Sequence, residues 1–139
     1  MNNTSESRTK DGQTSRLASK FHNRKPYPLT VNDEISKQRI LTALADPYSR
    51  RIMSGTTRRP LSALELSEKY EIPKSTTYRR IEELTQSQLL VAVKPSRTKN
   101  GKWFELYRCL VTRIGISSKN GALLIGIANH SRPKYQKCS

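Results

Sequence analysis

The feature that most constrains the fold is a pair of helix starts placed almost back to back. Ser62 and Glu65 have the S-x-x-E spacing of a capping box, in which each side chain satisfies an orphan backbone N–H, and Leu61 ahead of them supplies an apolar entry residue. From there Ala63, Leu66 and Tyr70 fall on one helical face. Pro73 suits a first helical turn, because its φ is already fixed and its missing N–H costs nothing there. Only Glu71 and Ile72 remain to turn the chain. A pair joined so tightly, the second helix opening on Lys and small hydroxyl residues, is a helix-turn-helix arrangement.

The second helix, from Pro73 to about Gln86, has two unlike sides. Thr77, Ile81 and Leu84 gather on one, while Ser75, Arg79, Glu82 and Gln86 gather on the other, so one face is core and the other open. The N-terminal half of the open face and its flanks hold Lys74, Ser75, Thr76, Tyr78, Arg79 and Arg80, and the acids Glu82 and Glu83 come only afterwards. That gradient suits entry into a DNA major groove by the N-terminal end, where the helix dipole and free N–H groups also favour phosphate. Arg79 would grip guanine O6 and N7, Ser75 and Thr76 would reach base edges or phosphate, and Tyr78 would touch the backbone or a thymine methyl. The bland alternative is a solvated amphipathic face.

Ahead of this pair, Asp33 is a helix N-cap, and from it Ile40, Leu41 and Leu44 share one face. Ile35 falls near the opposite side of that wheel, so either the helix begins later or Ile35 packs against something else, such as a second subunit. Asp46-Pro47 is an N-cap followed by a first-position proline, and Gly55 is placed to end a short second helix.

After Leu89, residues Leu90 to Lys94 and Lys102 to Arg108 read as two strands around Asn100-Gly101, a hairpin turn dipeptide. The tip of this wing carries Lys94, Arg97, Lys99 and Lys102 with no acid, which a phosphate or minor-groove contact explains. Edge protection by lysine is the bland alternative, and it explains the tip less well. Farther on, Cys109 to Ser117 and Ala122 to Ala128 flank Lys119-Asn120-Gly121 and read as a second hairpin, with a dimerising C-terminal helix as the alternative. The fold class expected is therefore α+β, a winged helix-turn-helix of three or four helices with a hairpin wing and an additional C-terminal hairpin. Its parts are a loose basic tail over 1–30, the DNA-binding domain over 31–108, a candidate dimerisation element over 109–129 and a basic tail over 130–139.

Charge agrees with this division. The chain of 139 residues has 26 Lys and Arg against 11 Asp and Glu, a net charge of +15, and the excess lies in both ends and in residues 72–108. That is where a polyanion would be met. No apolar run is long enough to cross a membrane and no signal core precedes the helices, so a cytoplasmic, nucleoid-associated protein is expected. His22, His130, Cys109 and Cys138 are too scattered for a metal site, and no nucleophile, base and orienting group stand together, so neither metal, cofactor nor enzymatic activity is expected. A redox role for Cys109 or Cys138 stays open.

The blocks Leu44-Ala45-Asp46-Pro47-Tyr48-Ser49-Arg50-Arg51-Ile52, Pro60-Leu61-Ser62 with Glu65-Leu66, and Ile72 through Leu84 resemble the winged helix-turn-helix of ArsR-like transcriptional regulators, over about residues 33–108. Among these the chain looks closest to archaeal members that end in an extra strand pair. The resemblance implies Lys74, Ser75, Thr76, Tyr78 and Arg79 as recognition-helix residues and Arg97, Lys99 and Lys102 as wing residues. Where members often have Gly in the turn between the paired helices this chain has Glu71, at a cost of roughly 1 kcal/mol if a left-handed conformation is needed. The cysteine pairs of metal-sensing members are missing. Double-stranded DNA and a second copy of the chain are the expected partners, with an RNA- or ribosome-associated protein and a protein-binding module of a transcription complex as competing functions.

Overall fold

The computed structural model describes residues 27–130. In chain order the elements are β1 (Leu29–Val31), α1 (Glu34–Ala45), α2 (Pro47–Gly55), β2 (Leu61–Ser62), α3 (Ala63–Tyr70), α4 (Lys74–Gln86), β3 (Leu90–Arg97), β4 (Trp103–Cys109), β5 (Val111–Lys119) and β6 (Ala122–Asn129). The strands form two antiparallel sheets, ordered β2-β4-β3 and β1-β6-β5. This is a winged helix-turn-helix of the α+β class with four helices and a further C-terminal hairpin.

Local chemistry sets the helix starts. Asp33 caps α1 by accepting the Ser36 N–H at 2.8 Å, Asp46 caps α2 by accepting that of Ser49 at 2.8 Å, and Ser62 accepts that of Glu65 at 3.1 Å. The tight turn between α3 and α4 closes through one buried serine. Ser67 donates its hydroxyl to the Ile72 carbonyl at 2.6 Å and receives the Ile72 N–H on its own carbonyl at 3.0 Å. To make that turn Glu71 adopts φ 53 and ψ 44, the left-handed conformation whose cost the sequence raised. The end of α4 repeats the device without glycine: Gln88 has φ 61, and the Leu89 N–H reaches the Leu84 carbonyl at 2.9 Å, bringing two fully buried leucines together.

Ile40, Ile52, Leu66, Ile81, Leu84 and Leu90 form one buried cluster, and Ile125 and Ile127 of the C-terminal hairpin belong to it. Burying an aliphatic side chain contributes about 1.5–3 kcal/mol, against roughly 0.2–1 kcal/mol for a cross-strand pair. Burial of Ile125 and Ile127 therefore ties this hairpin to the helical core. Ile35 lies inside α1 and is 66% exposed, so a later helix start does not account for it.

Three features differ from the sequence expectation. Leu29–Val31 is a strand, pairing antiparallel with β6, where a loose tail was expected through residue 30. Residues 1–26 of that tail and those from Ser131 onward lie outside the described residues. The two residues of β2 add a third strand to the wing sheet, opposite Leu106 and Tyr107. At the wing tip Asn100-Gly101 is not a two-residue turn. Thr98 accepts the Gly101 N–H and donates its own N–H to the Lys102 carbonyl, both at 2.9 Å, so three residues form the loop and only Gly101, at φ 80, is left-handed. The second hairpin has the tighter form. Asn120 and Gly121 both take positive φ, 52 and 82, and Lys119 pairs directly with Ala122.

On the outer side of that hairpin Gly115 faces Gly126 across the strands, and the Tyr27 ring lies over both. Any side chain on either glycine would meet that tyrosine, whose ring is in turn covered by the Arg113 guanidinium, 4.4 Å from its centroid.

Candidate nucleic-acid interface

Helix α4 presents the proposed contact face because its other side is committed to the core. Thr77, Ile81 and Leu84 are buried, and Thr77 satisfies its hydroxyl by donating to the Pro73 carbonyl at 3.1 Å. Lys74, Ser75, Tyr78 and Arg79 are exposed, and Thr76 is half-buried. Pro73 makes no side-chain cap, which leaves the first-turn N–H groups open to a ligand.

Arg80 does not share this face. Its Nε lies 3.0 Å from Oδ2 of Asp46 and one terminal nitrogen lies 3.0 Å from Oε2 of Glu83. The hydrogen bond it donates to Glu83 and the Asp46 charge push its pKa up despite burial, so the guanidinium is firmly cationic but engaged within the protein. Periodicity placed it on the flank of the open face; the partner in the α1–α2 junction is not visible from α4 alone.

The wing brings a second cationic surface. Lys94, Arg97, Lys99 and Lys102 are all exposed. Arg97 is also held: its Nε donates to the Gly101 carbonyl at 3.3 Å and its guanidinium stacks over Trp103, 4.9 Å from the ring centroid. Trp103 is 60% exposed, while its neighbour Phe104 is half-buried.

Between α4 and the wing runs an open crevice of about 550 Å³, lined among others by Leu64, Tyr78, Trp103, Glu105 and Tyr107. Tyr107 donates to Glu105 at 2.8 Å, and burial together with that bond raises its hydroxyl far above the ordinary tyrosine range. Leu64 was missed by the sequence reading. It follows the capping serine but points away from the Ala63–Leu66 face, and it is 46% exposed.

Among the described residues no three His, Cys, Asp or Glu side chains gather to hold a metal ion, and no helix is long and apolar enough to cross a membrane. Burial pushes the Cys109 thiol up, and it donates to the Val111 carbonyl at 3.7 Å, which disfavours a reactive thiolate. Cys138 lies outside the described residues.

No curated protein matches the chain. Residues 44–93, from the end of α1 into β3, match a family model described as a helix-turn-helix domain. The α3–α4 pair is thus a helix-turn-helix by sequence match as well as by geometry.

Proposed function

We propose that this protein is a transcriptional regulator of the ArsR-like winged-helix kind, of an archaeal type, that inserts α4 into the major groove of duplex DNA. Lys74, Ser75, Thr76, Tyr78 and Arg79 meet bases and phosphates, while Lys94, Arg97, Lys99 and Lys102 of the wing meet the backbone or minor groove. Arg80 acts through its hold on Asp46 and fixes the pose of α4. The protein works as a nucleoid-associated, cytoplasmic homodimer, with residues 31–108 as the DNA-binding part and 109–129 as the dimerising extension, because two recognition helices one helical turn apart multiply specificity.

The observation that carries this reading is the division of α4: a core face of Thr77, Ile81 and Leu84, and an open N-terminal half with Arg79 exposed beside a wing whose tip is cationic. Selection of bound sequences from a random duplex pool tests it, with enrichment of a palindrome as the expected result. In a shift assay on the enriched duplex, Arg79→Ala should lose discrimination worth about 1–3 kcal/mol at one base position. A pool without enrichment, or tighter binding to structured RNA than to duplex DNA at matched salt, would overturn it.

A further inference from the structure

Strand β5 lies at the edge of the β1-β6-β5 sheet, so among the described residues one side of its backbone has no strand partner. A row of unpaired N–H and C=O groups is a template for another strand unless charge, proline or a bulge blunts it. Between Arg113 and Lys119, β5 runs Ile114, Gly115, Ile116, Ser117 and Ser118, with neither charge nor proline. Its irregularity sits at the beginning, between Val111 and Arg113, and Ile116 is 44% exposed.

The segment is also symmetric about Gly115. Ile114 and Ile116 flank that glycine, and the hydroxyl residues Thr112 and Ser118 stand three positions out on either side. An antiparallel strand paired with its own copy across a two-fold axis needs such symmetry, since residue i then faces j and j faces i. The protein already makes the same match internally. Ile114, Gly115 and Ile116 face Ile127, Gly126 and Ile125 of β6, isoleucine against isoleucine and glycine against glycine. The free edge of β5 offers that triplet a second time.

The geometry points to a second copy of this chain as the occupant of that edge, its β5 antiparallel to the first with Gly115 opposite Gly115. Ile114 of each copy faces Ile116 of the other, Thr112 faces Ser118, Arg113 faces Ser117, and two three-stranded sheets become one of six strands. Side-chain alternation and charge select this register. A slip by one residue joins the core-facing side of one sheet to the Tyr27 side of the other. Centring the pair on Ile116 instead sets Arg113 opposite Lys119, a destabilising like-charge pair. With Gly115 on the axis the two Arg113 residues are four positions apart, about 13 Å along the strands, beyond the roughly 8 Å screening length at physiological salt. The interface rests on the proposed homodimer and gives it a site, and it is formed without DNA, so its failure and that of DNA recognition are separate events.

Sedimentation of the full chain without DNA tests the proposal. The wild type should dimerise as concentration rises, Ile116→Val should behave alike, and Ile116→Lys, a charge placed on the edge, should raise the dissociation constant roughly tenfold or more. Hydrogen exchange on the wild type gives an independent reading that no variant's folding can spoil: amides between Thr112 and Ser118 should slow with concentration. A monomer at every concentration, a dimer indifferent to Ile116→Lys, a dimer dissolved by Ile35→Lys instead, or β5 exchange that ignores concentration would each overturn it.

Discussion

Arg80 bonds the same carboxylate oxygen that caps α2: its Nε is 3.0 Å from Oδ2 of Asp46, and that oxygen also accepts the Ser49 N–H at 2.8 Å. One aspartate thereby joins the α1–α2 junction to the helix that carries Arg79. Desolvation pushes the Asp46 carboxyl up, but the bonds from Ser49 and the Arg80 charge outweigh it and hold the group below 3.8. A carboxyl depressed on folding adds stability above its unfolded pKa and loses it as pH falls toward the folded value. Asp46→Ala should cost about 1–2 kcal/mol at neutral pH, through the lost cap and the lost pair. Asparagine caps nearly as well, so Asp46→Asn should cost less, about 0.5–1 kcal/mol, and that deficit should shrink as urea unfolding is repeated at pH values below 3.8.

Glu71→Gly should stabilise the protein. Left-handed backbone costs a non-glycine residue about 1–2 kcal/mol, and glycine returns part of that gain through its freer unfolded chain. A net gain of roughly 0.5–1 kcal/mol corresponds to a rise in Tm of several degrees for a folded region of this size. Calorimetry showing no rise would mean that the turn, at φ 53, is relaxed by other means.

The wing and the recognition helix should differ in kind. Lys99→Ala or Lys102→Ala should weaken all duplexes alike and lower the salt slope of binding by about one for each phosphate contact removed. Base preference should stay as in the wild type. Titrations at several salt concentrations, on the selected and on a scrambled duplex, separate this from the position-specific loss expected of Arg79→Ala.

Gly126→Ala should destabilise the C-terminal sheet, since the new Cβ would stand 2.6 Å from Cβ of Tyr27, an atom fixed to the backbone. Overpacking of this type costs about 1–3 kcal/mol. In the double variant with Tyr27→Gly the penalty of the alanine should disappear, and that non-additivity in thermal unfolding is the signature of direct contact.

Helix starts were legible because capping is local. Asp33, Asp46-Pro47 and Ser62 with Glu65 each act within one turn, and the observed bonds follow the expected spacing. The buried and open sides of α4 were legible for the same reason, periodicity acting on one element. What escaped depends on distant partners or on unusual backbone. β1 is a strand only because Leu29–Val31 meets Ile125–Ile127 near the other end of the described chain, and β2 is too short to show a pattern. Arg80 turned from the proposed face because of Asp46, on another helix. Gln88 enters the left-handed region without being a glycine. The crevice between Tyr78 and Trp103 exists only once wing and helix are docked.

Ile125 and Ile127 share their cluster with Ile40, Ile52 and Leu84, so the last hairpin is not an appendage that can be trimmed away. Cutting after Arg108 would strip the interior open rather than release a minimal helix-turn-helix. Heating should give one melting transition for the whole of residues 27–130, and anything that loosens the distal sheet would be felt at the wing as lost stability, with no relay of contacts required.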